Sequence, residues 1–106
     1  MKALKPTPLE RFFGPYFHQD YALFYASADE ALTAALAEVS TSDLVDALGE
    51  LRACLNAGLV EAQLGDVLLN VEVYYDPESD GLTFGRWLAA VEQQMTSTLE
   101  DRRRAT

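Results

Sequence analysis

Cysteine and histidine are almost missing from this chain of 106 residues, which holds one of each, Cys54 and His18. A single cysteine excludes an intramolecular disulfide, and the pair cannot supply the four ligands of a structural zinc site. No covalent or metal staple is available, so the fold must rest on its core. Cations are scarce through the body of the chain: from Phe12 to Glu100, fifteen carboxylates face only Arg52 and Arg86, a balance of −13 against −9 for the whole sequence. Such a body repels nucleic acid and anionic membrane, and it speeds docking of a basic macromolecule. High acidity also serves solubility alone. No apolar run approaches the length of a membrane span, and the basic stretch Met1–Pro6 lacks the apolar segment of a secretory signal. These absences, with the lone cysteine, point to the cytoplasm. There is no internal repeat, low-complexity tract or linker.

What is present suits a single globular domain. About half of the residues are apolar (49%) and a quarter charged (24%), and a chain of this size buries roughly 60–70% of the surface its unfolded form exposes. Ser27-Ala28-Asp29-Glu30 has the form of a capping box and predicts a helix carrying Leu32, Ala35, Leu36 and Val39. Ser40-Thr41-Ser42 reads as a stop and restart. Ser42 is the expected cap of a second helix with the stripe Leu44, Leu48, Leu51, Leu55, closed by Gly58 in a left-handed turn. A third helix, from Val60 or Glu61, carries Leu64, Val67, Leu68 and Val71, with Gly65 costing it about 1 kcal/mol relative to alanine. Val71–Tyr75 has strand-like composition but no matching run to pair with, so it reads as an extended segment leading into the turn at Asp76–Gly81. Thr83 is expected to cap a last helix with the stripe Phe84, Trp87, Leu88, Val91 and Met95, fraying near Thr96-Ser97-Thr98.

The expectation is a small all-α bundle of about four helices over residues 27–100. It is fronted by an aromatic, irregular segment over 1–26 and followed by a basic tail over 101–106. Pro8, Leu9, Phe12 and Phe13 would add a helical turn that Gly14-Pro15 stops.

The candidates for chemistry are few. His18 and Asp20 sit two apart between aromatic pairs, but no nucleophile or further ligand accompanies them, so the expected role of His18 is to hydrogen-bond locally within an aromatic core. Cys54, on the flank of the Leu51/Leu55 face, reads as a partly buried structural thiol. Asp76-Pro77-Glu78-Ser79-Asp80-Gly81 imitates the start of a calcium loop, yet Trp87 stands where the bidentate acid belongs. On the second helix Asp43, Asp46 and Glu50 share the face opposite the leucines. Asp46 and Glu50 are like charges at i,i+4, which weakens a helix by a few tenths of a kcal/mol. A solvated face explains them, and so does contact with a cationic partner. No cofactor or metal is expected.

The block Tyr16-Phe17-His18-Gln19-Asp20, followed by an aromatic, resembles the contact-dependent growth inhibition immunity proteins of bacteria. Further along come a capped helix, a leucine-rich helix, the junction Gly58-Leu59, Tyr74-Tyr75-Asp76-Pro77, and the run from Gly81 to Leu88 with Trp87. These are similar to the family's pattern in order and spacing over almost the whole chain. Tyr21 stands where tryptophan is usual and Val60 where a capping serine is common. The resemblance implies a non-enzymatic cytoplasmic protein that binds and neutralises the toxic C-terminal domain of a cognate effector. On that reading Tyr16, Phe17, His18, Gln19, Asp20 and Trp87 maintain the fold. Toxin contacts are expected on variable surface, with Asp43, Asp46, Glu50, Asp76, Glu78 and Asp80 as candidates and a basic, nuclease-like toxin as the partner. An acidic adaptor domain for another cytosolic protein would share these features, and an enzyme using His18 and Asp20 is a third, weaker alternative.

Overall fold

A computed structural model of the chain describes residues 6–105. The basic residues Lys2 and Lys5, and with them most of the stretch read as lacking a signal, lie outside that range. Among the described residues there are five α-helices and no strand: α1 (Pro8–Phe17), α2 (Ala28–Glu38), α3 (Thr41–Leu55), α4 (Glu61–Asn70) and α5 (Phe84–Ala105). Short 3-10 turns occupy Tyr21–Leu23 and Pro77–Asp80. Helices α1 and α5 both pack on α3, α2 lies against α1, and α4 lies against α5.

The all-helical expectation holds with one helix more than anticipated, because α1 passes through Gly14-Pro15 instead of stopping there. Thr7 caps it, its Oγ1 accepting from Glu10 N–H at 3.2 Å, and Pro8 takes the first turn, where a missing N–H costs nothing. Pro15 withdraws one donor from the helix, but Pro15 and the Arg11 carbonyl it leaves free are on exposed residues. Water can satisfy that carbonyl, so the proline does not end the helix. The inner face of α1 then delivers Leu9, Phe12, Phe13 and Phe17 to the core.

The caps hold α2 and α5 where the sequence places them. Ser27 Oγ accepts from Glu30 N–H at 3.1 Å, and Thr83 Oγ1 from Arg86 N–H at 3.0 Å. Helix α3 starts earlier than expected: Ser40, not Ser42, is its cap, accepting from Asp43 N–H at 3.1 Å. It ends at Leu55, and Gly58 takes its left-handed conformation (φ +71) in the turn beyond. Helix α5 does not fray at Thr96. The Thr96 hydroxyl donates to the Glu92 carbonyl at 2.9 Å and accepts from Arg52 at 3.0 Å. Further on, Arg102 donates to the Leu36 carbonyl at 2.9 Å and to Thr41 Oγ1 at 3.2 Å, tying the last turns of α5 to the α2–α3 junction. Contacts from neighbouring helices outweigh the poor helix propensity of the threonines.

The core is aromatic at one end and aliphatic along its length. Trp87 stacks on Phe13 (ring centroids 5.7 Å apart) and meets the edge of Phe17 (5.5 Å) and the tilted ring of Tyr75 (5.2 Å). Leu44, Ala47, Leu48 and Leu51 of α3 and Leu88, Val91 and Met95 of α5 continue it.

Candidate partner-binding surface

The α3 carboxylates are not one uniform solvated face. Asp43 and Asp46 are exposed, but Glu50 is half-buried and its Oε1 accepts from Leu9 N–H at 2.9 Å. Leu9 N–H is one of the orphan donors of the first turn of α1, so Glu50 serves as that helix's anionic cap across 41 positions of sequence. Asp43 borders a cleft of about 320 Å3 with Arg11, Tyr16 and Glu38. There the Tyr16 hydroxyl donates to Glu38, and burial together with that bond pushes the phenol up to about 12.

The acids of the second candidate set are also partly committed. Asp76 caps the turn Pro77–Asp80, its Oδ1 accepting from Glu78 N–H at 3.0 Å, and Asp80 Oδ2 accepts from the Tyr75 hydroxyl at 2.5 Å. Burial and that bond raise the pKa of Tyr75. Gly81 closes the turn at φ +77. Glu78 borders a second cleft, with Glu61. Each acidic set is gathered along its own element, α3 or the turn, and the two have different neighbours.

The aromatic-His-Gln-Asp block divides between core and surface. Phe17 is buried; Gln19 and Asp20 are exposed. His18 is half-buried at the end of α1, not sealed in the core, and its Nδ1 accepts from Asp20 N–H at 3.1 Å. Its ring meets the edge of Phe24, itself exposed. The local hydrogen bond is the expected one. The environment differs because the chain turns outward here, through the 3-10 turn at Tyr21–Leu23. Cys54 is half-buried, and desolvation, followed by the nearby Glu50 charge, raises the pKa of its thiol.

A groove between α4, the segment 73–76 and the start of α5 has no counterpart in the sequence reading. Two close approaches build it. At Gly65 an added Cβ would stand 3.1 Å from the Phe84 ring, so the missing side chain lets that ring lie on α4. Glu61, in the first turn of α4, accepts from Phe84 N–H (2.7 Å) and Gly85 N–H (3.0 Å), an anionic cap supplied to α5 from another helix. Val60 cannot cap α4 with its own side chain, and the Gln63 side-chain oxygen instead accepts its N–H at 3.0 Å.

The far end of α4 sets the opposite wall. Val73 N–H bonds the Leu68 carbonyl at 2.8 Å and Glu72 N–H the Leu69 carbonyl at 3.1 Å, the paired bonds of a Schellman closure. Glu72 occupies its left-handed position at φ +65, where glycine is the usual residue. The chain then runs extended, held by Tyr74 N–H to the Phe17 carbonyl at 2.9 Å, and it alternates sides: Val73 and Tyr75 are buried, Tyr74 and Asp76 exposed. The groove encloses about 320 Å3. Leu69 (55% exposed) and Tyr74 (46%) form its open walls, Phe84 and Val73 line it further, and Asp66 and Asp76 are its charged residues. The available signal was an exposed apolar residue beside a buried one, in the doublets Leu68-Leu69 and Tyr74-Tyr75.

Among the described residues no three His, Cys, Asp or Glu side chains gather to hold a metal ion, and no helix is long and apolar enough to cross a membrane. These features define a small acidic all-helical domain with a partly apolar groove on its surface. Residues 6–95 match the family model described as CdiI immunity protein, and the chain belongs to that family. No curated protein and no solved structure matched it. Family membership gives the chain a general role in toxin immunity, as the ordered motifs from Tyr16 to Trp87 implied.

Proposed function

We propose that this chain binds the C-terminal toxin domain of its cognate contact-dependent growth inhibition effector in the cytoplasm and neutralises it by stoichiometric complex formation, without catalysis. The observation that carries this reading is the family match over residues 6–95. The charge supports it and narrows the partner. A body carrying fifteen carboxylates between Phe12 and Glu100 against Arg52 and Arg86 suits a basic toxin, as a nuclease that must hold phosphates would be. Complementary potential accelerates association, which an inhibitor needs when a toxin arrives in a living cell.

Asp43 and Asp46 on α3, and Glu78 on its turn, are free-standing candidates for such contacts because they are exposed. Glu50 and Asp80 contribute to the same field while holding α1 and Tyr75. Co-expression of this chain with the toxin domain encoded directly upstream tests the reading. Restored growth and co-purification of the two chains are expected, and unrelieved toxicity with no complex overturns it.

A further inference from the structure

We infer that the groove between α4 and α5 is the seat of the toxin, and that it receives an apolar side chain, aliphatic or aromatic, flanked in the toxin by lysine or arginine. This rests on the toxin-binding reading above. Leu69 and Tyr74 lie outside the buried core. Leu68 already supplies the buried contact of that turn of α4, and Val73 and Tyr75 supply those of the extended segment, so residues 69 and 74 point outward into the groove. Polar side chains there would avoid an exposed apolar patch. A volume of about 320 Å3 stands at the lower end for ligand pockets, a size suited to one large side chain.

Charge selects what flanks that side chain. Asp66 and Asp76 are the only ionisable acids or bases among the lining residues apart from the tyrosines, and both are exposed. A cationic neighbour on the toxin would pair with them at the polar edge while the apolar group fills the centre, the usual division of a protein interface. Leu23 (80% exposed) and Phe24 (67%) are more exposed still, but they stand outside this groove and its two aspartates. The cleft of Thr41, Val45 and Leu99 carries Arg102 and Arg103, the wrong sign for a basic partner.

The test is to measure association and dissociation rates between the toxin domain encoded directly upstream and four forms of this chain: wild type, Leu69→Gln, the double variant Asp66→Asn/Asp76→Asn, and Val45→Gln as a control on α3. Leu69→Gln should weaken binding by about 30-fold, chiefly through faster dissociation, as expected for a residue at the centre of an interface. The double amide variant should slow association and flatten its salt dependence, and its side-chain oxygen at position 76 can still cap the turn. Val45→Gln should bind within about twofold of wild type. Tyr74→Ser, on the other wall, should reproduce the Leu69→Gln loss, and circular dichroism shows that each variant is folded. A tight wild-type complex that the groove variants leave unchanged, or that Val45→Gln weakens as much as they do, overturns the groove while toxin binding stands. No complex with wild type overturns both.

Discussion

Replacing Glu50 with alanine should destabilise the protein by about 2 kcal/mol, because it removes a cap and not a surface charge. The carboxylate accepts from Leu9 N–H at 2.9 Å, and Leu9 is fully buried, so that N–H is poorly placed to bond water instead. A hydrogen bond to a charged group contributes about 1.5–3 kcal/mol. The anion at the N-terminus of α1 adds about 0.3–1 kcal/mol, and the better helix propensity of alanine within α3 offsets a few tenths. For a domain of this size about 2 kcal/mol corresponds to a melting point lower by about 8 °C, or a urea midpoint lower by about 1 M. Glu50→Gln is the informative partner: its side-chain oxygen can still accept from Leu9, so it should lose only the charge contribution, about 0.5–1 kcal/mol. Unfolding followed by circular dichroism and by fluorescence of Trp87, the one tryptophan of the chain, reads both. Equal stability of the two variants, or Glu50→Ala within about 0.5 kcal/mol of wild type as for an ordinary surface substitution, would refute the capping role and return Glu50 to the solvated face.

Glu61→Ala should cost about 1–2 kcal/mol by uncapping α5, with Glu61→Gln intermediate, measured by urea denaturation; no loss would mean that water caps Phe84 and Gly85 equally well. Tyr16, Tyr21 and Tyr75 all have phenol pKa values raised by burial, that of Tyr16 to about 12. The fold favours the neutral phenols, so their contribution is fully present below the unfolded pKa of about 10 and is lost as pH rises through the higher folded values. Thermal melts should therefore weaken from about pH 10 upward with tyrosinate absorbance appearing late, and full tyrosine ionisation by about pH 10.5 without unfolding would contradict this. His18→Ala should cost at most about 1 kcal/mol, the value of one half-exposed local hydrogen bond to Asp20 N–H, and should leave toxin binding intact in a pull-down; lost binding in a folded variant would move His18 into the interface.

Local chemistry made most of the helices legible. Ser27 and Thr83 act within three residues of themselves, and the stripes Leu44 to Leu51 and Trp87 to Met95 follow from periodicity alone. Ser40 prevailed over Ser42 because α3 gains two residues by starting at the earlier cap. Gly14-Pro15 misled because a proline reads as a helix breaker in sequence, and only the fold reveals that the carbonyl it frees belongs to an exposed residue. The caps from Glu50 and Glu61 were illegible for a different reason. Their acceptors and donors are 41 and 23–24 residues apart, and a carboxylate on a helix surface carries no mark of a distant partner. The groove was hidden in the same way, since Leu69, Tyr74 and Phe84 come from three segments and become neighbours only through Gly65 and the left-handed turn at Glu72.

A calorimetric titration of this chain into a purified candidate toxin domain tests the proposed binding most directly. A single break at one equivalent, nanomolar affinity at low salt, and progressive weakening as salt screens the acidic surface are expected. Absence of binding at micromolar concentrations of both proteins would contradict the proposed binding.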